Sequence, residues 1–325
     1  MSWHRILVAV PPDGTIGQVE LNKMAHLALS FDAELELFET VYSPGIVQPA
    51  RMTAAQWQQE IQNRVQSRRE QLEPIVHALR IRGVRAKASA RWDDPLHEGI
   101  VRQTLRHESD LLIVPFKLTG RGARALFTRT DYKLIETCPC PVLFLKTARP
   151  YLDPVIVAAV DPQGAHGKPA SLDDAILEAA SVVSRAVSGK LFVCHAYAPW
   201  EQVARKSSDL RDIPEPVSND VHAAYTNQVA SRVLELARRH RIPEGQVQII
   251  EAQATEAILQ TARRRHADVV VVGAVSRSRL RRFLVGHTSE RVLDPLECDV
   301  LIVKPQEFRT AVAAESMHHF VRRVS

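Results

Sequence analysis

The chain has 325 residues, of which 45% are hydrophobic and 24% charged, with 13 glycines and 4 cysteines. That balance excludes a largely disordered chain, a collagen-like one and a disulfide scaffold, and at about 150 residues per domain it suggests two domains. A net charge of +5 permits contact with phosphates but does not imply nucleic-acid binding.

From the amino end, Met1–Arg5 leads straight into an apolar run, Ile6–Val10, that reads as a first strand. The run is shorter than the apolar core of a secretory signal. Stretches such as Val269–Val275 fall far short of the ~20 residues of a membrane helix. The expectation is a soluble cytoplasmic protein with no membrane span. A second strand passes through Leu35, a third ends at Trp92-Asp93-Asp94-Pro95, a fourth is Asp110–Pro115, and Val142–Lys146 is an apolar edge strand. Two prolines in Arg149–Pro154 mark a linker.

Beyond it, Val155–Val160 reads as a strand and Leu172–Val187 as a helix, with Leu172, Ile176, Ala179, Val183 and Ala186 on one face. Lys190–His195 is a strand, and Lys206–Asn219, rich in serine and proline, a loop. Then come a helix at Asp220–His240, a strand at Val247–Glu251, a helix at Thr255–Arg265 and the β-branched strand Asp268–Val272. A helix over Thr288–Pro295 and a strand at Val300–Val303 close the pattern, and Phe308–Ser325 trails it as a short amphipathic helix or a disordered tail. The βαβαβαβαβ order implies an α/β fold, a mostly parallel five-stranded sheet with helices on both faces.

The two halves repeat one another. Asp110-Leu-Leu-Ile-Val-Pro115 aligns with Asp268-Val-Val-Val-Val-Gly273, and Cys140–Lys146 with Cys298–Lys304, both at an offset of 158 (268−110, 298−140). Ile6–Val10 aligns with Ile156–Val160 at 150 and Leu35 with Leu191 at 156. Shared offsets over separated segments imply tandem copies of one domain. The expected domains are 1–148 and 153–306, followed by a tail at 307–325.

The candidate chemistry gathers after the fourth strand of the second copy, in Gly273-Ala-Val-Ser276 and Gly286-His287-Thr288-Ser289-Glu290. A glycine at a strand end lets a ligand approach the backbone. A second glycine before hydroxyl residues at a helix start offers free N–H groups to a phosphate. Thr288 and Ser289 also suit the plainer role of helix caps.

This doubled pattern and its loop resemble the universal stress proteins, and the length resembles their tandem, E-type members. The resemblance implies two Rossmann-like domains of the adenine nucleotide alpha hydrolase-like type. Nucleotide-binding members carry Gly, two residues, Gly, nine residues, Gly, then Ser or Thr. Gly273 and Gly286 match the first and third glycines, Ser276 replaces the second, and His287 stands at the hydroxyl position with Thr288 and Ser289 after it. By the same resemblance Asp161, at the end of the first strand, meets the nucleoside, and Ala196, after His195, lies beside adenine. His195 itself reads as a structural histidine. The edge strands 142–146 and 300–304 are expected to pair the two domains as an internal pseudo-dimer, with a homodimer as a further possibility.

The first copy lacks this equipment. Pro11 stands at the Asp161 position, Pro115 at Gly273, Leu118 at Ser276, and Thr128-Arg129 at Gly286-His287. No nucleotide is expected there in the family's manner; its pocket is either vestigial or suited to another, more apolar ligand.

Cys138-Pro139-Cys140 lacks metal-binding spacing and reads as small buried residues, so no metal motif is expected. Gly164-Ala-His-Gly167-Lys168 does not have the spacing of a phosphate loop. Arg263, Arg264, Arg265, Arg277, Arg279, Arg281 and Arg282 read as surrounding the phosphate loop, either to neutralise a polyphosphate or as a solvated surface. No aromatic residues interleave with them, so nucleic acid is not the expected partner. The expected function is a stress-response binding and regulatory module whose second domain takes ATP or a related adenine nucleotide. The alternatives are a carrier or sensor of an apolar, lipid-like ligand, and a slow nucleotide hydrolase with His287 beside the phosphates.

Overall fold

The computed structural model describes residues 3–41, 52–116, 126–163, 169, 171–199, 219–274 and 292–314. The chain divides into two compact units, Leu152–Gln306 and Met1–Tyr151 joined by the segment from Glu307. Among the described residues of that segment, 307–314, no helix forms.

In the first unit the elements run β1 (Arg5–Ala9), α1 (Gln18–Ser30), β2 (Glu34–Val41), α2 (Ala54–Ile81), β3 (Arg85–Trp92), α3 (Leu96–His107), β4 (Leu111–Pro115), α4 (Arg129–Thr137) and β5 (Val142–Leu145). The strand order is β3-β2-β1-β4-β5 and every pairing is parallel. Parallel strands need crossover helices, and helices cover both faces. In β2, Glu36 meets Gln103 of α3 and Glu39 meets Arg68 of α2. The two glutamates are three residues apart, so they point to opposite faces of the strand. Burial on both sides explains why β1, β4 and β5 read as unbroken apolar runs.

The second unit repeats the plan with β6 (Val155–Val160), α5 (Ser171–Ala186), β7 (Lys190–Tyr197), α6 (Asn219–Arg239), a single 3-10 turn, β8 (Val247–Glu251), α7 (Ala254–Arg264), β9 (Val269–Gly273) and β10 (Asp299–Val303). Its order, β8-β7-β6-β9-β10, is again parallel throughout. The expected elements appear within a residue or so of their ends, except β7, which runs two residues past His195 and takes Ala196 into the strand. The expected helix start at Thr288 lies outside the described residues.

The helix ends follow capping chemistry. Thr53 and Gln56 form a capping box at the start of α2, and Thr128 and Asp131 form another at α4. In both units the strand order reverses beside the first strand, between β1 and β4 and between β6 and β9. In open sheets of this class that reversal, at the carboxyl ends of the strands, is where ligands bind.

Candidate functional site

The strand register brings the first residues of the site together. Val160 pairs with His195, so the next residues on each chain, Asp161 and Ala196, stand side by side at the sheet's carboxyl edge. Ile156 pairs with Val269 and Ala158 with Val271; carried forward, the register sets Val160 beside Gly273. Asp161, Ala196 and Gly273 therefore share one edge at the switch point, and all three are half-buried. Ser276, Gly286, His287, Thr288 and Ser289 lie outside the described residues, as do Arg277, Arg279, Arg281, Arg282 and the Gly164–Lys168 segment.

Asp161 and Gly273 each have a local cause, and so does the neighbouring His195. The N–H of Asp161 donates to Asp173 Oδ1 at 2.9 Å, so the buried Asp173 in the first turn of α5 holds the turn after β6. That leaves the Asp161 carboxylate to other partners. Gly273 is required by packing. A Cβ there would lie 2.7 Å from Leu172 Cδ2 and 2.9 Å from Ile176 Cδ1 of α5. Its φ is not in the positive region, so close helix–strand approach, rather than conformational freedom, demands glycine. His195 is buried, and its Nδ1–H donates to the Val160 carbonyl at 2.9 Å, which fixes the β6 and β7 tips and confirms it as a structural histidine.

Two aromatic residues that the sequence reading above does not single out pack at this edge. Tyr197 follows Ala196 directly, and its ring lies 5.8 Å from that of Tyr225 on α6, at an angle of 67°. The hydroxyl of Tyr197 donates to Glu251 at 3.2 Å and that of Tyr225 to the Ala198 carbonyl at 3.2 Å. Burial raises both phenol pKa values above the ordinary range, which keeps them neutral donors.

The arginine reading needs correction. A crossover helix runs antiparallel to its strands, so α7 ends where β9 begins, at the amino edge of the sheet. Arg263, Arg264 and Arg265 are therefore at the end opposite the site. The Arg265 guanidinium lies 4.2 Å from the Phe192 ring centroid, a cation–π contact rather than a phosphate contact.

The corresponding edge of the first unit is built differently beyond β4. Pro11 and Pro115 offer no N–H groups. Phe116, Phe127 and Phe144 fill the space beyond β4, with centroids 5.0, 5.8 and 4.9 Å apart. At the start of α4, Thr128 Oγ1 accepts from the Asp131 N–H at 3.3 Å, and Asp131 Oδ2 accepts from the Thr128 N–H at 2.7 Å. An aspartate thus occupies the helix N-terminus that would otherwise attract a phosphate.

The cysteines are buried. Cys138 and Cys140 sulfurs lie 3.6 Å apart, and the hydrogen bond with Cys138, together with burial, raises the Cys140 pKa well above the usual thiol range. Among the described residues no group of three His, Cys, Asp or Glu is placed to hold a metal ion. Nor is any described helix long and apolar enough to cross a membrane.

A family model described as the universal stress protein family matches residues 2–146 and 155–304. The chain is 25% identical over 321 residues to Universal stress protein E of Salmonella typhi, covering 95% of this chain and 97% of that one. It is 24% identical over 321 residues to Universal stress protein E of Escherichia coli strain K12, covering 95% and 96%. Among solved structures, it resembles a putative universal stress protein from Pseudomonas aeruginosa UCBPP-PA14, with TM-score 0.70, 26% identity and 94% of each chain covered. A functionally unknown protein from Pseudomonas aeruginosa PAO1 aligns with TM-score 0.69 and 25% identity, over 94% of this chain and 93% of that one.

Proposed function

The chain belongs to the universal stress protein family, as a tandem member, and from that premise we propose that its second unit is the ligand-sensing half, taking ATP or a related adenine nucleotide. The observation that carries this reading is the juxtaposition of Asp161, Ala196 and Gly273 at one half-buried edge, at the switch point between β6 and β9. The Asp161 carboxylate accepts hydrogen bonds from the ribose or the base edge. Ala196 leaves room for the flat base, with Tyr197 and Tyr225 closing the adjoining wall. Gly273, Ser276, Gly286, His287, Thr288 and Ser289 supply the backbone and hydroxyl groups for the phosphates. The first unit serves as the structural partner, and occupancy of the second unit is the signal that a stress-response partner reads.

Asp161→Ala tests this assignment. A charge-assisted hydrogen bond contributes about 1.5–3 kcal/mol, so ATP affinity measured by calorimetry drops by about tenfold or more. Pro11→Ala, the matching change in the first unit, leaves the affinity unchanged. Equal ATP affinity in wild type and Asp161→Ala overturns the assignment.

A further inference from the structure

The amino edge of the second unit, at the end opposite the candidate site, gathers positive charge. The last turn of α5 carries Arg185, that of α6 Arg238 and Arg239, and that of α7 Arg263 and Arg264. Arg241 and His266 lie in the turns that follow, and Lys190 begins β7. Cations at helix C-termini are ordinary, because they offset the negative end of the helix dipole. The first unit shows how many the fold itself calls for. Arg80 and Arg106 match Arg238 and Arg264 at an offset of 158 (238−80, 264−106), so those two serve the helix ends of either copy.

The remaining positions have changed sign. Three turns with left-handed backbone fix the register: Asp32, Gly83 and Glu108 in the first unit, with φ 47°, 86° and 48°, and Ser188, Arg241 and His266 in the second, with φ 51°, 59° and 51°. Counted from those turns, Leu29, Ile81 and Leu105 become Arg185, Arg239 and Arg263, and Glu34 becomes Lys190. Over these positions the first unit has the acids Asp32, Glu34 and Glu108 and no base. The second has Arg185, Lys190, Arg239, Arg241 and Arg263 and no acid. The first unit's acids are also neutralised in place, Glu108 by Arg5 at 2.7 Å, Asp32 by Arg85 at 3.0 Å and Glu34 by Lys87.

In the second unit only part of the charge is answered. Arg238 binds Glu244 at 2.7 Å, and Arg239 lies 3.4 Å from Asp174. Arg185, Lys190, Arg241, Arg263 and Arg264 are exposed, and none of their side chains has a hydrogen bond or ion pair among the described residues. Arg265 on the Phe192 ring and Thr261 beside Cys194 seat α7 against one face of β7, while Tyr197 meets α6 on the other. The five free bases therefore straddle the sheet around the starts of β7 and β8. The acids Asp153, Asp268 and Glu297 stand instead before β6, β9 and β10, and Glu235 is one turn back on α6.

The character of this surface selects its partner. The exposed large hydrophobic residues described in the second unit, Leu152 and Val221, precede β6 and begin α6, away from the five bases. Protein interfaces and membrane surfaces are held in good part by apolar anchors, which are missing here. A phosphate backbone is held by cations alone. Single strands stack their bases on exposed aromatic rings, and Phe192 lies under Arg265. We propose that this edge docks double-stranded nucleic acid, held through its phosphates by Arg185, Lys190, Arg241, Arg263 and Arg264. The surface lies away from the nucleotide site and does not depend on that reading.

The test is fluorescence-anisotropy titration of a short mixed-sequence DNA duplex with the full chain over a series of salt concentrations. Five phosphate contacts give a slope of about −4.5 for log affinity against log salt, so affinity falls about 500-fold between about 50 and about 200 mM. The combined variant Arg185→Gln, Arg263→Gln, Arg264→Gln brings the slope to about −2 and weakens binding at least about tenfold at the lower salt. Lysine at the same three positions keeps both slope and affinity, because a phosphate accepts a point charge. Arg91→Gln, an exposed arginine of β3, changes neither. The proposal is overturned if the duplex does not bind at about 50 mM salt, if the wild-type slope is shallower than about −2, or if the triple glutamine variant binds as wild type does. It is equally overturned if polyglutamate, anionic vesicles or a single strand of the same length binds as tightly as the duplex.

Discussion

The two units share one strand order and differ at the same edge. Where the second has Asp161, Ala196 and Gly273, the first has Pro11, Thr40 and Pro115. One edge presents half-buried Asp161, Ala196 and Gly273 side by side. At the other, three phenylalanines pack beyond β4 and an aspartate is seated on its own helix N-terminus. Duplication therefore preserved what the sheet needs, the buried apolar strands, and released what a ligand needs, the tips beyond them. Even the strand-tip acid and histidine diverge: Glu39 reaches α2 through Arg68, whereas His195 is tied to its own sheet.

The contrast is sharpest in the aromatic cluster. Phe144 is fully buried against Phe116 and Phe127. Phe144→Ala is expected to destabilise the first unit by about 3–5 kcal/mol. Urea unfolding followed by tryptophan fluorescence weights that unit, which holds three of the four tryptophans, Trp3, Trp57 and Trp92. A near-neutral result would mean that the aromatic plug is not what replaced the ligand.

Gly273→Ala tests the other edge. The added methyl meets Leu172 and Ile176 and is expected to cost the second unit about 1–3 kcal/mol without any nucleotide present. Unchanged stability with lost nucleotide affinity would instead make Gly273 a residue kept for ligand approach alone.

The smallest expected effect concerns the buried polar cluster of the first unit. His107 is 8% exposed, with Nε2 3.5 Å from Glu36 and 3.7 Å from Glu34; Lys87 and Arg5 also face it, and Ser109 Oγ lies 3.0 Å from Nδ1. Burial lowers its pKa below the ordinary 6.5, more than the two glutamates raise it. The unfolded chain then binds the extra proton first, so this contribution to stability is present above pH 6.5 and is lost as pH falls below it. Unfolding midpoints between pH 7.5 and 5.5 should fall more steeply in wild type than in His107→Gln. Identical slopes would remove His107 as the titrating group.

Much of this architecture was legible in the residues. The four β-branched residues Val269–Val272 announce a strand buried on both faces, and the offsets of 150 to 158 announce the repeat. Asp161, Ala196 and Gly273 were legible as candidates because strand ends are positions that a pattern can count. What was not legible depends on direction and on contacts across the fold. Arg263–Arg265 are near the loop in sequence, but an antiparallel crossover carries them to the far edge. The packing demand on Gly273 comes from Leu172, a hundred residues away in the chain. The Glu39–Arg68 ion pair exists only because α2 carries Arg68 back across the tip of β2.

The most direct test of the division between the units is the stoichiometry of ATP binding to the full chain, measured by calorimetric titration. The account predicts one ATP per chain, held in the second unit and weakened about tenfold or more by Asp161→Ala. Two equivalents per chain, none, or a single equivalent indifferent to Asp161 would contradict it.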